Sequence, residues 1–164
     1  MAVYTKINQK EINIINKNFN IDKVKSFKGI KQGIENTNYL LKSKKKKYIL
    51  TIFEKRVLQK EIPFFMKLMD NLNNSKINCP KPLKTRNNKY LIKLKNKTAC
   101  IVSFLEGKDK KILNINDCYT VGKTIARMHV VTNKMKLNRK NSMGIKNLKP
   151  LLESIKFKSK KFSN

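Results

Sequence analysis

A chain of 164 residues, 40% of them hydrophobic, has material for one core, so it makes one domain or part of one and not a string of them. Its formal net charge of +29 points first to polyanions, yet Arg56, Arg86, Arg127 and Arg139 are the only arginines and the lysines are spread over every segment. Phosphate and base recognition favours arginine's planar fork, so a nucleic-acid partner is not expected.

No apolar run approaches the roughly 20 residues that span a bilayer. The start Met1-Ala2-Val3-Tyr4-Thr5-Lys6 lacks the apolar stretch of a secretory signal, so a cytoplasmic protein without a membrane partner is expected. Cys79, Cys100 and Cys118 are odd in number and far apart, and with His129 they make a poor metal set; free thiols in a reducing compartment are expected.

In chain order, Asn8-Gln9-Lys10-Glu11 fits a capping box, and Ile12, Ile15 and Phe19 then predict a short amphipathic helix to about Asn18. Alternating residues from Lys23 to Leu41 predict a hairpin whose turn carries Gly29 and Gly33. Such a turn lays backbone N–H groups against phosphates, because glycine adopts φ > 0 and has no Cβ to hold a ligand off. Ser43 to Lys47 reads as a polar turn and Tyr48 to Phe53 as a third strand. Pro63 suits the first turn of a helix, whose apolar stripe is predicted at Phe65, Leu68, Met69 and Leu72.

Cys79-Pro80-Lys81-Pro82 must be extended. Tyr90 to Leu94 and Ala99 to Phe104 predict a second hairpin turning near Asn96. Beyond Gly107 the character changes: Asp117 is the expected cap of a helix carrying Cys118, Val121, Ile125 and Met128. A polar connection over Lys134 to Lys140 follows, then a helix from Pro150 to Phe157, and Lys156 to Asn164 is expected to hang loose.

The string Phe27-x-Gly29-Ile30-x-x-Gly33-x-Glu35-Asn36-Thr37-Asn38-Tyr39 resembles the aminoglycoside phosphotransferase and choline kinase superfamily, and within it the bacterial homoserine kinases. Ile49-Leu50-Thr51-Ile52-Phe53-Glu54, Ile62-Pro63-Phe64-Phe65-x-x-Leu68-Met69, Phe104-Leu105-x-Gly107 and Val121-Gly122-x-x-Ile125-Ala126-x-Met128-His129 are similar to later family segments, in family order. The resemblance implies an α+β fold: a protein-kinase-like small lobe over 1–104, built of a five-stranded antiparallel sheet with one packed helix. Residues 105–164 then correspond to the hinge exit and the first helices of an incomplete helical large lobe.

It also implies ATP and Mg²⁺ as cofactors, L-homoserine as the small-molecule substrate and a place in threonine biosynthesis. Gly29, Gly33, Asn36, Thr37, Asn38, Thr51, Val102 and Phe104 become the expected nucleotide contacts, with backbone groups of Val102 and Phe104 meeting the adenine edge. Alternation sends Thr37 to the opposite face from Asn36 and Asn38, so the three side chains do not converge on one ligand.

Thr51 stands where most kinase relatives carry a lysine, as it does in homoserine kinases. The family's His-x-Asp-x-x-x-x-Asn loop and later Asp-Phe pair are absent, so no catalytic or metal-binding residue is assigned and the chain is expected to be inactive by itself, an amino-terminal portion. Glu54 and Glu61 read as surface residues, and His129 as a structural residue at the lobe junction. Ser142-Met143-Gly144 resembles a family segment near the acceptor. Two alternatives stand beside this assignment: another small-molecule kinase of the superfamily, for choline, an aminoglycoside or a sugar, and a non-catalytic basic binding protein.

Overall fold

The computed structural model describes residues 3–55, 57–141 and 144–159. Helix α1 (Gln9–Asn18) is followed by strands β1 (Ser26–Gly29), β2 (Thr37–Lys42) and β3 (Lys47–Ile52), helix α2 (Ile62–Asn74), strands β4 (Leu91–Leu94) and β5 (Lys97–Ser103), then helices α3 (Ile115–Asn133) and α4 (Ile145–Ser159). The five strands form one antiparallel sheet in the order β1-β2-β3-β5-β4.

Local chemistry sets most of these boundaries. The Asn8–Glu11 capping box is formed, with Asn8 Oδ1 accepting from Lys10 N and Glu11 Oε2 accepting from Asn8 N. The β2–β3 turn is closed by the Ser43 amide donating to the Lys46 carbonyl at 2.9 Å. Lys95 and Asn96, at φ 46° and 62°, supply the two left-handed residues that a two-residue hairpin turn needs between β4 and β5.

The period-2 alternation gives the sheet two different faces. Tyr39, Leu41, Tyr48, Leu50, Ile52, Ala99 and Ile101 are buried on one of them, against Ile12, Ile15 and Phe19 from α1 and the residue after it. Each fully buried Ile or Leu here contributes roughly 1.5–3 kcal/mol of transfer free energy. On the other face α2 covers Cys100, Val102 and Leu91, while the β2–β3 half stays open. The sheet therefore carries a packed helix on each face.

Four local expectations are corrected or extended. Helix α2 buries Ile62, Met66 and Leu72 with Phe65 and Met69 beside them, so the predicted stripe holds at Phe65, Met69 and Leu72 and is widened by Ile62 and Met66, which it had left out. Asn114, not Asp117, caps α3: Asn114 Oδ1 accepts from Asp117 N at 2.9 Å and Asp117 Oδ2 accepts from Asn114 N at 2.8 Å. Asp117 is thus the third residue of a capping box, and the Asn114 amide and Lys110 hold its carboxyl below the usual carboxylate range. Helix α4 begins at Ile145, a turn ahead of Pro150, with Asn147 and Leu148 N–H groups donating to the Gly144 carbonyl; one missing N–H does not stop it. Lys156–Ser159 continue α4 rather than hanging loose, and residues 160–164, like Ser142 and Met143, lie outside the described residues.

Helices α3 and α4 leave large apolar side chains exposed, among them Tyr119, Val121, Ile125, Leu151, Leu152 and Ile155. His129 is exposed on α3. Of the thiols, Cys100 is buried under α2, where desolvation pushes its pKa up to about 12, Cys79 is half-buried and Cys118 is exposed.

Candidate functional site

The glycine hairpin runs from Gly29 at the end of β1 to Thr37 at the start of β2. Its two glycines do different work. Gly33 sits at φ +102° with open space around it, a conformation that L side chains rarely adopt. Gly29 is paired with Tyr39 in the sheet, and a Cβ there would lie 2.9 Å from Val3 Cγ2. Packing explains Gly29, and backbone conformation explains Gly33.

The three polar residues that follow separate as alternation requires. Thr37 is fully buried; its Oγ1 accepts from the amides of Tyr4 and Thr5 at 3.0 and 3.1 Å and donates to Glu54 Oε1 at 2.7 Å. Its side chain is therefore committed to the fold, and only its backbone is left for a ligand. Asn36 Oδ1 accepts from the Glu54 amide at 3.2 Å. Asn38 lies on the open face opposite Thr51, whose hydroxyl donates to Asn38 Oδ1 at 2.8 Å. With that oxygen occupied, the Asn38 NH₂ is a donor aimed away from Thr51. Lys28 and Leu40 on one side, and Ile49 on the other, share this face by register. The result is an apolar floor edged by a polar pair and a cation, beside a lid whose turn passes through the left-handed Gly33.

Val102 and Phe104 do not fit their expected role in the way the sequence suggests. Phe53 N donates to Thr98 O, and Phe104 N donates to Lys47 O at 3.4 Å. Alternation of bonded pairs along this antiparallel ladder then places Ile49 and Val102 in a bonded pair as well. Both N–H groups are spent inside the sheet, so neither is spare for an adenine edge. What they offer is side-chain surface: Val102 packs beside Ile49, and the Phe104 ring lies under the Lys47 ammonium, 5.1 Å from its centroid.

Glu54 is the residue that sequence reasoning misplaced. It is not a surface carboxylate: its side chain is 9% exposed, and it is bonded by Thr5, Thr37 and Lys97. Burial pushes its pKa up, but the hydrogen bonds from Lys97, Thr5 and Thr37 and the lysine charge outweigh that and hold it below the ordinary value. Lys97, at the start of β5, supplies the cation that the third strand lacks, though it does so on the face opposite Thr51. Glu61 is half-buried, with Arg139 Nη2 and Nε donating to its Oε2 at 2.7 and 3.1 Å, and the same guanidinium lies over the Phe65 ring. A cleft of about 350 Å³ opens beside Glu54, lined by Tyr4, Ile34, Glu35, Lys55 and Lys97. Among the described residues no three of His, Cys, Asp and Glu come together as a metal cluster, and no helix is long and apolar enough to cross a membrane.

Comparison with known proteins supplies the family. Homoserine kinase from Paramagnetospirillum magneticum is 40% identical over 156 residues, covering 95% of this chain and 48% of that protein. Homoserine kinase from Parvibaculum lavamentivorans is 37% identical over 154 residues, covering 94% and 48%. The chain thus spans about half the length of the curated relatives it matches. Among solved structures, spectinomycin phosphotransferase, in complex with ADP and spectinomycin, superposes with a TM-score of 0.67 at 18% identity, over 87% of this chain and 44% of that one. A microcompartment-associated aminopropanol kinase gives 0.63 at 13%, over 85% and 47%. These two establish the α+β kinase-like fold. The profile of the phosphotransferase enzyme family matches residues 26–154, most of the chain, and the chain belongs to that family.

Proposed function

We infer that this chain forms the nucleotide-binding part of an ATP-dependent homoserine kinase. The observation that carries this is the 35–40% identity to homoserine kinases along nearly the whole chain. The open face supports it from the side of geometry. Residues 1–104 are read as the small lobe, since the sheet, α1 and α2 all fall within them, and 105–164 as the start of a helical lobe.

In this assignment Leu40 and Ile49 form the apolar floor for the base, with Val102 and Phe104 at its rim. Gly33 lets the lid backbone approach the phosphates, the Asn38 NH₂ donates to a phosphate oxygen, and Thr51 fixes that amide's orientation. Gly29, Asn36 and Thr37 act through the lid's shape rather than by side-chain contact. Phosphoryl transfer rests on positioning and on neutralising charge, and Mg²⁺ supplies the latter when bound. The strand positions of the open face carry no carboxylate, so no metal ligand is assigned here and no step is derived through the metal. L-homoserine as acceptor, cytoplasmic residence and the absence of nucleic-acid and membrane partners belong to the same proposal.

Calorimetry with ATP·Mg²⁺ is the first test, with a Kd below about 1 mM expected by analogy with ordinary enzyme substrate constants. A chimera that continues this chain with the remainder of the Paramagnetospirillum relative should phosphorylate L-homoserine. Preference for choline or an aminoglycoside would transfer the chain to another acceptor class.

A further inference from the structure

The segment Val3-Tyr4-Thr5 touches the glycine hairpin at its start, middle and end. Val3 packs over Gly29, with Cγ2 2.9 Å from where a Cβ would stand. The Tyr4 hydroxyl donates to the Ile34 carbonyl at 3.0 Å, one residue past Gly33. The Tyr4 and Thr5 amides donate to Thr37 Oγ1 at the far end. Behind them, Thr5 Oγ1 donates to Glu54 Oε1 at 2.7 Å and accepts from Lys97 Nζ at 2.7 Å. Hydrogen bonds of Thr5 and Thr37 to the Glu54 carboxylate thus hold the backbone of Tyr4 and Thr5, and the Tyr4 side chain reaches from there to the middle of the lid.

The lid itself is poorly supported at that point. Gly33 has open space around it and Ile34 is 76% exposed. Tyr4 is 56% exposed, so its hydroxyl contributes little to the core and its contact with Ile34 acts chiefly on the loop. With its amide held by Thr37 Oγ1, the Tyr4 side chain reaches the loop carbonyl from a fixed backbone, and that hydrogen bond orients the peptide plane and with it the following N–H group.

We propose that Tyr4 is a positioning residue for the nucleotide, holding the lid backbone at Ile34 so that the amides around Gly33 face the phosphates. It touches no substrate, and its role rests on the assignment of the lid to ATP. Loss of one neutral hydrogen bond of this kind corresponds to about a three- to tenfold change in affinity.

The test uses the full 164-residue chain and Tyr4→Phe, which keeps the ring and removes only the hydroxyl. Hydrogen exchange read by mass spectrometry without nucleotide should speed up over residues 30–36 and stay unchanged in α1 and α2. Calorimetry should show ATP·Mg²⁺ bound about three- to tenfold more weakly, with adenosine binding unchanged, because the effect is confined to the phosphate side. A purely structural role would move both ligands together or neither. Unchanged lid exchange, or equal ATP·Mg²⁺ affinity in the two forms, overturns the proposal while leaving the nucleotide assignment intact. Failure of the wild-type chain to bind ATP·Mg²⁺ at all overturns the nucleotide assignment and the positioning role with it.

Discussion

Thr51 donates its hydroxyl to Asn38 Oδ1 across the β2–β3 ladder at 2.8 Å, on the half of the sheet face that α2 leaves open. Most kinase relatives place an ammonium group at the Thr51 position to grip phosphates. Here the polar function is divided: the threonine orients, and the asparagine amide donates. Thr51→Val should preserve the strand, since valine suits a β position, and should cost about 1 kcal/mol of stability for the lost bond. ATP·Mg²⁺ affinity should fall by about fivefold as the Asn38 amide loses its fixed orientation. Calorimetry alongside urea unfolding separates the two effects; full affinity in Thr51→Val would remove Asn38 from the phosphate contacts.

The two lid glycines should answer differently to substitution. Gly33→Val disfavours φ +102° by roughly 1–3 kcal/mol, which the exposed loop escapes by leaving that conformation, so the variant should weaken ATP·Mg²⁺ while barely moving the melting temperature. Gly29→Ala instead pushes a methyl group against Val3 and should lower the melting temperature. Val3→Ala should restore much of that loss in the double variant. Absence of such coupling in a double-mutant cycle would show that Val3 does not pack over Gly29 in solution.

The Glu54–Lys97 pair gives a pH dependence with a defined sign. The folded-state pKa of Glu54 is held below its ordinary value, so the pair's stabilisation is fully present above the ordinary carboxylate range and is lost as pH falls through the lowered value. Lys97→Met removes the cation and leaves a carboxylate that is 9% exposed to be served by two threonine hydroxyls. Two of the causes that lower the pKa of Glu54 are then gone, so its pKa should rise and the variant's stability should fall less steeply than the wild type's on acidification. The loss near neutral pH should be on the order of 2 kcal/mol, the usual scale for a hydrogen bond to a charged group. Urea midpoints from about pH 7 down to about pH 4 decide it, and parallel curves for the two proteins would show that Lys97 is not the partner.

Arg139 fastens the segment between α3 and α4 to the start of α2, by two donors to Glu61 Oε2 and by stacking on Phe65. Lysine keeps the charge but has neither the planar fork nor the stacking surface. Arg139→Lys should therefore retain less than half of the coupling to Glu61, which is expected at about 1 kcal/mol for a partly buried pair with two donors on one carboxylate oxygen. A double-mutant cycle with Glu61→Gln isolates that coupling from the other contacts of Arg139. Equal coupling for arginine and lysine would reduce the contact to simple charge attraction.

What could be read from the sequence was what neighbours in the chain decide. The Asn8–Glu11 box, the Ser43 turn, the Asn96 hairpin and the alternation of β2 and β3 all rest on contacts within a few residues. Asp117 was expected to cap α3, and the backbone starts the helix three residues earlier, with Asn114 as the cap and Asp117 as its capping-box partner. Glu54 escaped because its partners Thr5, Thr37 and Lys97 come from three separate segments. Attention to a cation on the third strand also hid the one at the start of the fifth. Backbone groups of Val102 and Phe104 were expected at the adenine edge, and sequence does not show which amides of an antiparallel ladder are already bonded within the sheet.

The 164 residues by themselves should not phosphorylate homoserine. The open face presents an apolar floor, the Asn38–Thr51 pair and a lid, which serve to bind a nucleotide, but its described strand positions carry no carboxylate to orient an acceptor hydroxyl or hold a metal, and Glu106 at its rim is paired with Lys47. His129 does not replace them, since it is exposed on α3, and Asp117 is engaged by Asn114 and Lys110. Orientation of the nucleophile and neutralisation of phosphoryl charge account for nearly all of the acceleration in this chemistry, so their loss should cost several orders of magnitude. The exposed apolar side chains of α3 and α4 should in addition make the isolated chain bind hydrophobic dyes and self-associate as its concentration rises. Mass-spectrometric detection of ATP-dependent phosphohomoserine is the measurement. Turnover on the order of 1–100 per second, an ordinary kinase rate, would mean that groups in this chain carry the chemistry after all, with His129 and Asp117 the first to replace by alanine.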